Sequence, residues 1–374
     1  MSHAAGHDAL TRGLVDALAP TVRLRCWVAD DAAAQAARAL DGRMDVQVLP
    51  GITFFLRDVA VLTREAGGDA GIVDFRASQY GAATWCERRH GPGPDREGCA
   101  AHARSAAERH DGIDRALAQR VGATLHGTPL AMEGGGIETN GRGLLIAVES
   151  LWRTRNPGLT RGETERELMR LPGVRKVIWL PEGLAEDVHL RATITGTHVA
   201  WGAGGHSDQF VRFADERTVL LAWPDGDHPV SRLSRARMQR NAAILETAAD
   251  LQGRLLRVVR LPMPRLVQRR VVLEDETDPL RPEAWRTDWF PAAERRRAGQ
   301  ALWQVATASY LNFVIANDVV VLPEFRPHGT PEALQSGVRR LFEAVFPGRR
   351  VVFVDAMTAH WVGGGLHCTS LNVP

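Results

Sequence analysis

The sequence predicts an α/β protein folded as a pseudo-symmetric ring with its site at the centre. Two observations carry this. A strand or two, a helix and a further strand recur about every 60–75 residues, the mark of a repeated supersecondary unit. Glycine clusters at 134–136, 204–205 and 363–365 each fall at the end of such a strand, where a bare backbone can approach a ligand closely.

In chain order, residues 5–18 and 31–41 carry apolar residues at helical spacing and predict helices. Between them 22–28 alternates like a strand. Short strands are expected at 46–49, 53–62 and 71–75, separated by glycine and charged turns. A helix is expected over 101–120 and a strand over 144–148. Thr160-Arg161-Gly162-Glu163 reads as a capping box opening a helix over 161–170. A strand at 176–181, an inserted loop at 187–203 and a strand at 218–223 follow. A helix over 236–251 leads to a strand at 255–262. Residues 270–300, charged and proline-punctuated with Trp285 and Trp289, read as a surface excursion or lid. A strand at 319–323, a helix from Thr330-Pro331 to 346 and a strand at 350–354 precede the terminal glycine-cysteine stretch.

Composition excludes several classes. Hydrophobic residues make up 44% and charged residues 24% of 374, values of an ordinary globular chain. A net charge of +2 from 46 basic and 44 acidic residues argues against nucleic acid as the partner. No apolar run reaches the roughly 20 residues that span a bilayer, and the N-terminus lacks a signal-peptide pattern, so a cytoplasmic protein away from membranes is expected. Of the four cysteines, Cys26, Cys86, Cys99 and Cys368, none forms a CxxC pair, so no metal site is expected. Cys86 and Cys99 flank a Gly/Pro/Arg-rich stretch and could pair if oxidised; unpaired thiols are the expectation.

Five residues stand out chemically. Cys368 follows three glycines seven residues from the end; it is either a nucleophile at a shaped mouth or a buried small hydrophobe on a last strand. His206 and Asp208 would share a face of an extended 206–213 segment and form a candidate acid/base pair. Asp58 interrupts an apolar run, so it needs a cationic partner, either Arg57 or a ligand. Glu133 leads the glycine cluster at 134–136; the plain alternative is a solvated turn residue. His367 is expected to face away from Cys368 on the same strand. Trp201 reads as packing or as part of an entrance.

Met132-Glu133-Gly134-Gly135, Gly205-His206-Ser207-Asp208, Ala308-Ser309-Tyr310-Leu311-Asn312-Phe313 and Gly363-Gly364-Gly365-Leu366-His367-Cys368 occur in the order seen in agmatine deiminases. From about residue 50 onward, the chain resembles these enzymes and the wider bacterial peptidylarginine deiminase family of the guanidine-modifying pentein superfamily. The resemblance implies one domain over 1–374: a five-bladed α/β propeller (pentein fold) with a central active site and an atypical N-terminal blade. It implies hydrolytic deimination of a small guanidino compound, agmatine- or arginine-like, with no metal and no organic cofactor. Cys368 would be the nucleophile and His206 the proton shuttle. Asp58 and Asp208 would grip the guanidinium by charge-assisted hydrogen bonds, with Glu133 in support. Phe55 would stack on the cation in place of the family's tryptophan; Gly365 and Trp201 would border the substrate.

The loop before His206 lacks the acid that suits agmatine's distal amine. Glu186 and Asp187 lie behind the insertion, so the substrate is best stated as a guanidino compound. An amidinotransferase or dihydrolase on the same fold, or a non-catalytic binding protein, are the alternatives. A homodimer is compatible with the resemblance and is not decided by the sequence.

Overall fold

The structure, a computed structural model, describes residues 3–65, 67–90, 93–275 and 284–373. One unit repeats four times. β3 (Val61–Arg64) pairs antiparallel with β4 (Ala70–Arg76), which pairs parallel with β5 (Thr124–Ala131). β6 (Glu138–Thr139), β7 (Leu144–Val148) and β8 (Lys176–Leu180) repeat the pattern. So do β11 (Val211–Phe213), β12 (Thr218–Trp223) and β13 (Arg257–Pro262). The fourth set is β16 (Val314–Ala316), β17 (Val319–Pro323) and β18 (Arg350–Val354).

Each middle strand reaches its parallel partner through helix, as a parallel pair requires. The connections are α3 (Ala82–Arg89), α4 (Pro94–His110) and α5 (Ile113–Val121); α6 (Glu149–Arg155) and α7 (Arg161–Leu168); α8 (Pro229–Thr247); and α9 (Glu332–Val345). β7 and β17 are buried at every residue, which is why they read as unbroken apolar runs. The side chains of β7, with Val320 and Leu322 of β17, share one core with β12, Phe210 and Tyr310, while Val319 and Val321 face the opposite way.

Ahead of these units, α1 (His3–Leu18) packs Leu10, Ala17 and Leu18 against Val319, Val354 and Leu366. β1 (Leu24–Val28), α2 (Asp31–Leu40) and β2 (Met44–Val48) form a parallel pair with its crossover. α10 (Met357–His360) precedes the terminal turns.

Several expectations are corrected. Residues 187–203 are not a loop: β9 (His189–Thr195) and β10 (His198–Ala203) form a hairpin. It joins β14 (Gln268–Val272) and β15 (Ala301–Val305) in a four-stranded sheet. The expected lid at 270–300 lies partly outside the described residues; Trp285 and Trp289, inside them, are buried with Val199 and Leu302 beneath this sheet. Residues 53–62 are not one strand. Phe55 packs with the α1 cluster, Leu56 and Val59 pack with Ile72 and Leu117, and a 3-10 turn at Leu56–Asp58 redirects the chain between them. The helix expected over 101–120 breaks at Gly112, where φ is +95°. Cys86 and Cys99 are paired, not free: α3 and α4 lie side by side with these two Cα atoms 5.7 Å apart, within disulfide range. Among the described residues no helix is long and apolar enough to cross a membrane.

Candidate active site

Asp58, Glu133, His206, Asp208 and Cys368 converge, and Gly135 lies among three of them. A methyl group on Gly135 would come within 2.5 Å of His206 Nδ1, 3.0 Å of Asp58 Oδ1 and 3.2 Å of Asp208 Oδ2. Only a residue without Cβ lets these three side chains close in on the backbone there.

Asp58 is not paired with Arg57. The Arg57 amide instead donates to the Cys368 carbonyl at 2.9 Å. Asp58 Oδ2 accepts from the Tyr80 hydroxyl at 2.8 Å and Oδ1 from the Gly135 amide at 3.1 Å. Burial pushes its carboxyl above the ordinary range, against the pull of His206.

His206 and Asp208 do converge, through a 3-10 turn at Ser207–Gln209 rather than along an extended strand. Asp208 is fully buried. Its Oδ2 accepts from His367 Nδ1 at 2.8 Å and from the Cys368 thiol at 3.3 Å, while its Oδ1 has no partner. Burial raises its pKa to about 6, aided by Asp58 and opposed by His206.

The His206 ring is held from both sides: Nε2 is 3.3 Å from Glu133 Oε2 and Nδ1 is 3.8 Å from Asp58 Oδ1. Burial alone would lower its pKa, but Asp58 and Glu133 outweigh it and raise it to about 9. The imidazole is therefore a cation at neutral pH. Glu133 also accepts from Arg155 Nε and the Ser78 hydroxyl, each at 2.9 Å. Burial pushes its pKa up, and Arg155 with His206 more than reverses this, to about 2.

Cys368 is held by Asn312, whose Nδ2 reaches Sγ at 3.2 Å and whose Oδ1 accepts from the His367 amide at 2.8 Å. Burial, then Asp208 and Asp58, push the thiol well above its ordinary pKa, so without a cation bound it keeps its proton. Residues 366–369 form turns, not a strand. That corrects the expectation for His367, which turns inward onto Asp208.

The other sequence candidates fall as follows. The Phe55 ring lies over Gly364, whose Cβ would meet it at 2.2 Å. With Asp58, Tyr80 and Glu133 it lines a cavity of about 250 Å³. Gly365 is bare because Asn312 Oδ1 sits 2.4 Å from where its Cβ would be. Trp201 does not face the cavity; its ring and that of Trp289 sandwich the Arg191 guanidinium, at 3.5 Å and 3.6 Å. Asp187 and Glu186 are both spent structurally. Asp187 accepts from the amides of Ala203, Gly204, Gly205 and His206 at 2.6, 3.2, 2.9 and 2.8 Å, and Glu186 accepts from Ser234. Among the described residues no three His, Cys, Asp or Glu side chains are placed to hold a metal ion.

Sequence reasoning missed Tyr80, Arg155 and the roles of Asp187, Asn312 and His367. Of these, Asn312 lay inside a quoted motif and His367 beside the cysteine.

Residues 3–374 match the Porphyromonas-type peptidyl-arginine deiminase family. An agmatine deiminase of Ectopseudomonas mendocina is 32% identical over 270 residues, 71% of this chain and 64% of that protein; the match thus spans under two thirds of the relative. The fold is that of the Enterococcus faecalis agmatine deiminase, with a TM-score of 0.70, 19% identity, and coverage of 99% of this chain and 87% of that one. A Campylobacter jejuni agmatine deiminase superposes with a TM-score of 0.64 at 15% identity over 99% of this chain and 86% of that one. With a family match across essentially its whole length, this chain belongs to the Porphyromonas-type peptidyl-arginine deiminases.

Proposed function

We propose that the protein hydrolyses a small guanidino compound, agmatine- or arginine-like, to a ureido product and ammonia through a covalent intermediate on Cys368. The observation that carries this is the convergence of Asp58, His206 and Asp208 about the bare backbone of Gly135, with the Cys368 thiol 3.3 Å from Asp208. Two carboxylates across a small gap suit a planar cation, and Asp208 Oδ1 is an unspent acceptor. The relatives' agmatine deiminase names support the same chemistry. Neither Glu186 nor Asp187 is free to hold a distal ammonium, which favours a guanidino compound other than agmatine itself.

The steps balance as follows. The guanidinium binds Asp58 and Asp208, and its charge favours the Cys368 thiolate; the thiol proton passes to Asp208. Sγ attacks the central carbon. Protonated His206 gives its proton to one nitrogen, which leaves as ammonia, and an amidino-thioether remains. Neutral His206 takes a proton from water as the oxygen attacks the same carbon. The C–S bond breaks, Sγ recovers its proton from Asp208, the remaining hydroxyl proton passes to the departed ammonia, giving ammonium, and the neutral ureido product leaves. An amine in place of that water would give amidino transfer.

The four repeated units, with β1–α2–β2 and the C-terminal turns as a fifth abbreviated one, support the reading of one five-bladed propeller around this site. The test is release of ammonia and ureido product from agmatine, arginine, a C-terminal arginyl peptide and guanidinobutyrate. Cys368→Ala is the control. Release that the control abolishes supports the proposal; release from Cys368→Ala at the wild-type rate overturns it.

A further inference from the structure

The scheme above gives no role to Tyr80, although its hydroxyl touches Asp58. Gln79 and Tyr80 both have left-handed backbones, with φ +51° and +58°. Non-glycine residues hold such a conformation only where their surroundings impose it, and here the surroundings are specific. The Tyr80 carbonyl accepts from His189 Nε2 at 2.7 Å. Its hydroxyl donates to Asp58 Oδ2 at 2.8 Å. Its ring centroid is 6.0 Å from that of His206. His189 begins β9 of the added hairpin, so a chain of contacts runs from the hairpin through Tyr80 to Asp58.

We propose that Tyr80 is a positioning residue for the carboxylate that receives the guanidinium: its hydroxyl holds Asp58 Oδ2 while Oδ1 accepts from the Gly135 amide, and His189 holds Tyr80 there. This rests on the cation-binding part of the proposed function. A phenol recruited only for bulk needs neither the strained backbone nor two directed hydrogen bonds. Its donor is permanent, because burial and then Asp58 and Glu133 push the phenol well above its ordinary pKa. The charged and titratable groups facing Asp58 are His206, Glu133 and Tyr80, with Asp208, Cys368 and Arg57 nearby. Among them Tyr80 favours the ionised carboxylate, whereas burial and Glu133 oppose it.

The test needs no turnover. Cys368 is alkylated with 2-chloroacetamidine, a cation, and in parallel with neutral 2-chloroacetamide. In each, Sγ forms a C–S bond and chloride leaves. The ratio of the two rates, followed by intact mass, reports docking of the amidinium on the carboxylates.

Tyr80→Phe is expected to lower the ratio about tenfold, the loss of one hydrogen bond to a charged group, with the chloroacetamide rate unchanged. The acid limb of chloroacetamidine labelling should move to higher pH, because Asp58 loses a donor that favours its ionised form. His189→Ala should act in the same direction and add nothing to Tyr80→Phe in the double variant, and His189→Gln, which keeps a donor, should recover. A wild-type ratio and acid limb in Tyr80→Phe would overturn the proposal. So would equal losses with both reagents, the signature of a generally damaged site. Additive losses in the double variant would overturn the coupling to His189. Selective amidine labelling without ammonia release from any guanidine would count against hydrolysis while leaving this proposal to stand or fall on the ratio.

Discussion

Asp187→Asn tests whether the added hairpin builds the site or merely adjoins it. The carboxylate accepts four successive amides, from Ala203 to His206. It thereby holds Gly204 and Gly205 at φ +94° and +105° and sets the entry of the chain into His206. An amide at position 187 turns one oxygen into a donor, so whichever way it lies, two backbone N–H groups face an N–H. Each orphaned donor costs about 1–3 kcal/mol, so the variant should lose about 4 kcal/mol. For a chain of 374 residues that is a fall in Tm of about 5 °C by the usual entropy per residue. Relaxation of the turn by about 1 Å would displace His206 enough to lower kcat about 10²-fold. Thermal unfolding and chloroacetamidine labelling read the two effects separately. A variant within a degree of wild-type Tm and within twofold in labelling would refute the account of the Asp187 turn.

Four other outcomes follow from the same geometry. Gly135→Ala should stay folded but lose selective chloroacetamidine labelling, since its methyl would collide with His206 Nδ1 and push His206, Asp58 and Asp208 apart; retained selectivity would show that the cation sits elsewhere. His206 is raised to about 9, so the stability its charge contributes is complete below about pH 6.5 and is lost as pH rises through about 9. Wild-type Tm should therefore decline across that window, and Glu133→Gln should flatten the decline while costing about 3–5 kcal/mol through the stranded Arg155. Asp208→Asn removes a negative neighbour that pushes the Cys368 thiol up, so neutral iodoacetamide should label Cys368 faster at pH 8 in that variant. Reducing the Cys86–Cys99 bond, which closes a separation of 13 residues, should cost about 3 kcal/mol, visible as a lower Tm with reductant in the wild type and no change in Cys86→Ser.

What the sequence revealed divides along physical lines. The middle strands were legible because burial on both faces writes an unbroken apolar run, as in Leu144–Val148 and Val319–Pro323. The helix opened by Thr160 was legible because its capping box is local, and both reciprocal bonds are present. Glycine marked the candidate site at Glu133, His206 and Cys368. Asp58 was found as a charge in an apolar run, but its partners, Tyr80 and Gly135, lie 22 and 77 residues away and no local pattern points to them. Asp187 was hidden differently: the hairpin separates it from the amides it holds, and the intervening residues read as an insertion. The alternation rule misplaced His367 because it applies to strands and this segment turns.

The same burial that costs the site energy also accounts for its selectivity. Glu133 is neutralised by Arg155 and His206, which leaves Asp58 and Asp208 as two buried carboxylates, both held above their ordinary pKa range. In the proposed function a planar cation held by Asp58 and Asp208 relieves both at once, where a neutral molecule of equal shape relieves neither. The thiol responds to the same charge: its proton is retained because it is buried and because Asp208 and Asp58 face it, and a bound cation offsets their field. Under the proposed function, substrate recognition and nucleophile activation are then one electrostatic event, and the thiol is most reactive while a cation is bound. An uncharged ureido product would forfeit the interaction that held the guanidinium, and its departure would restore the protonated thiol.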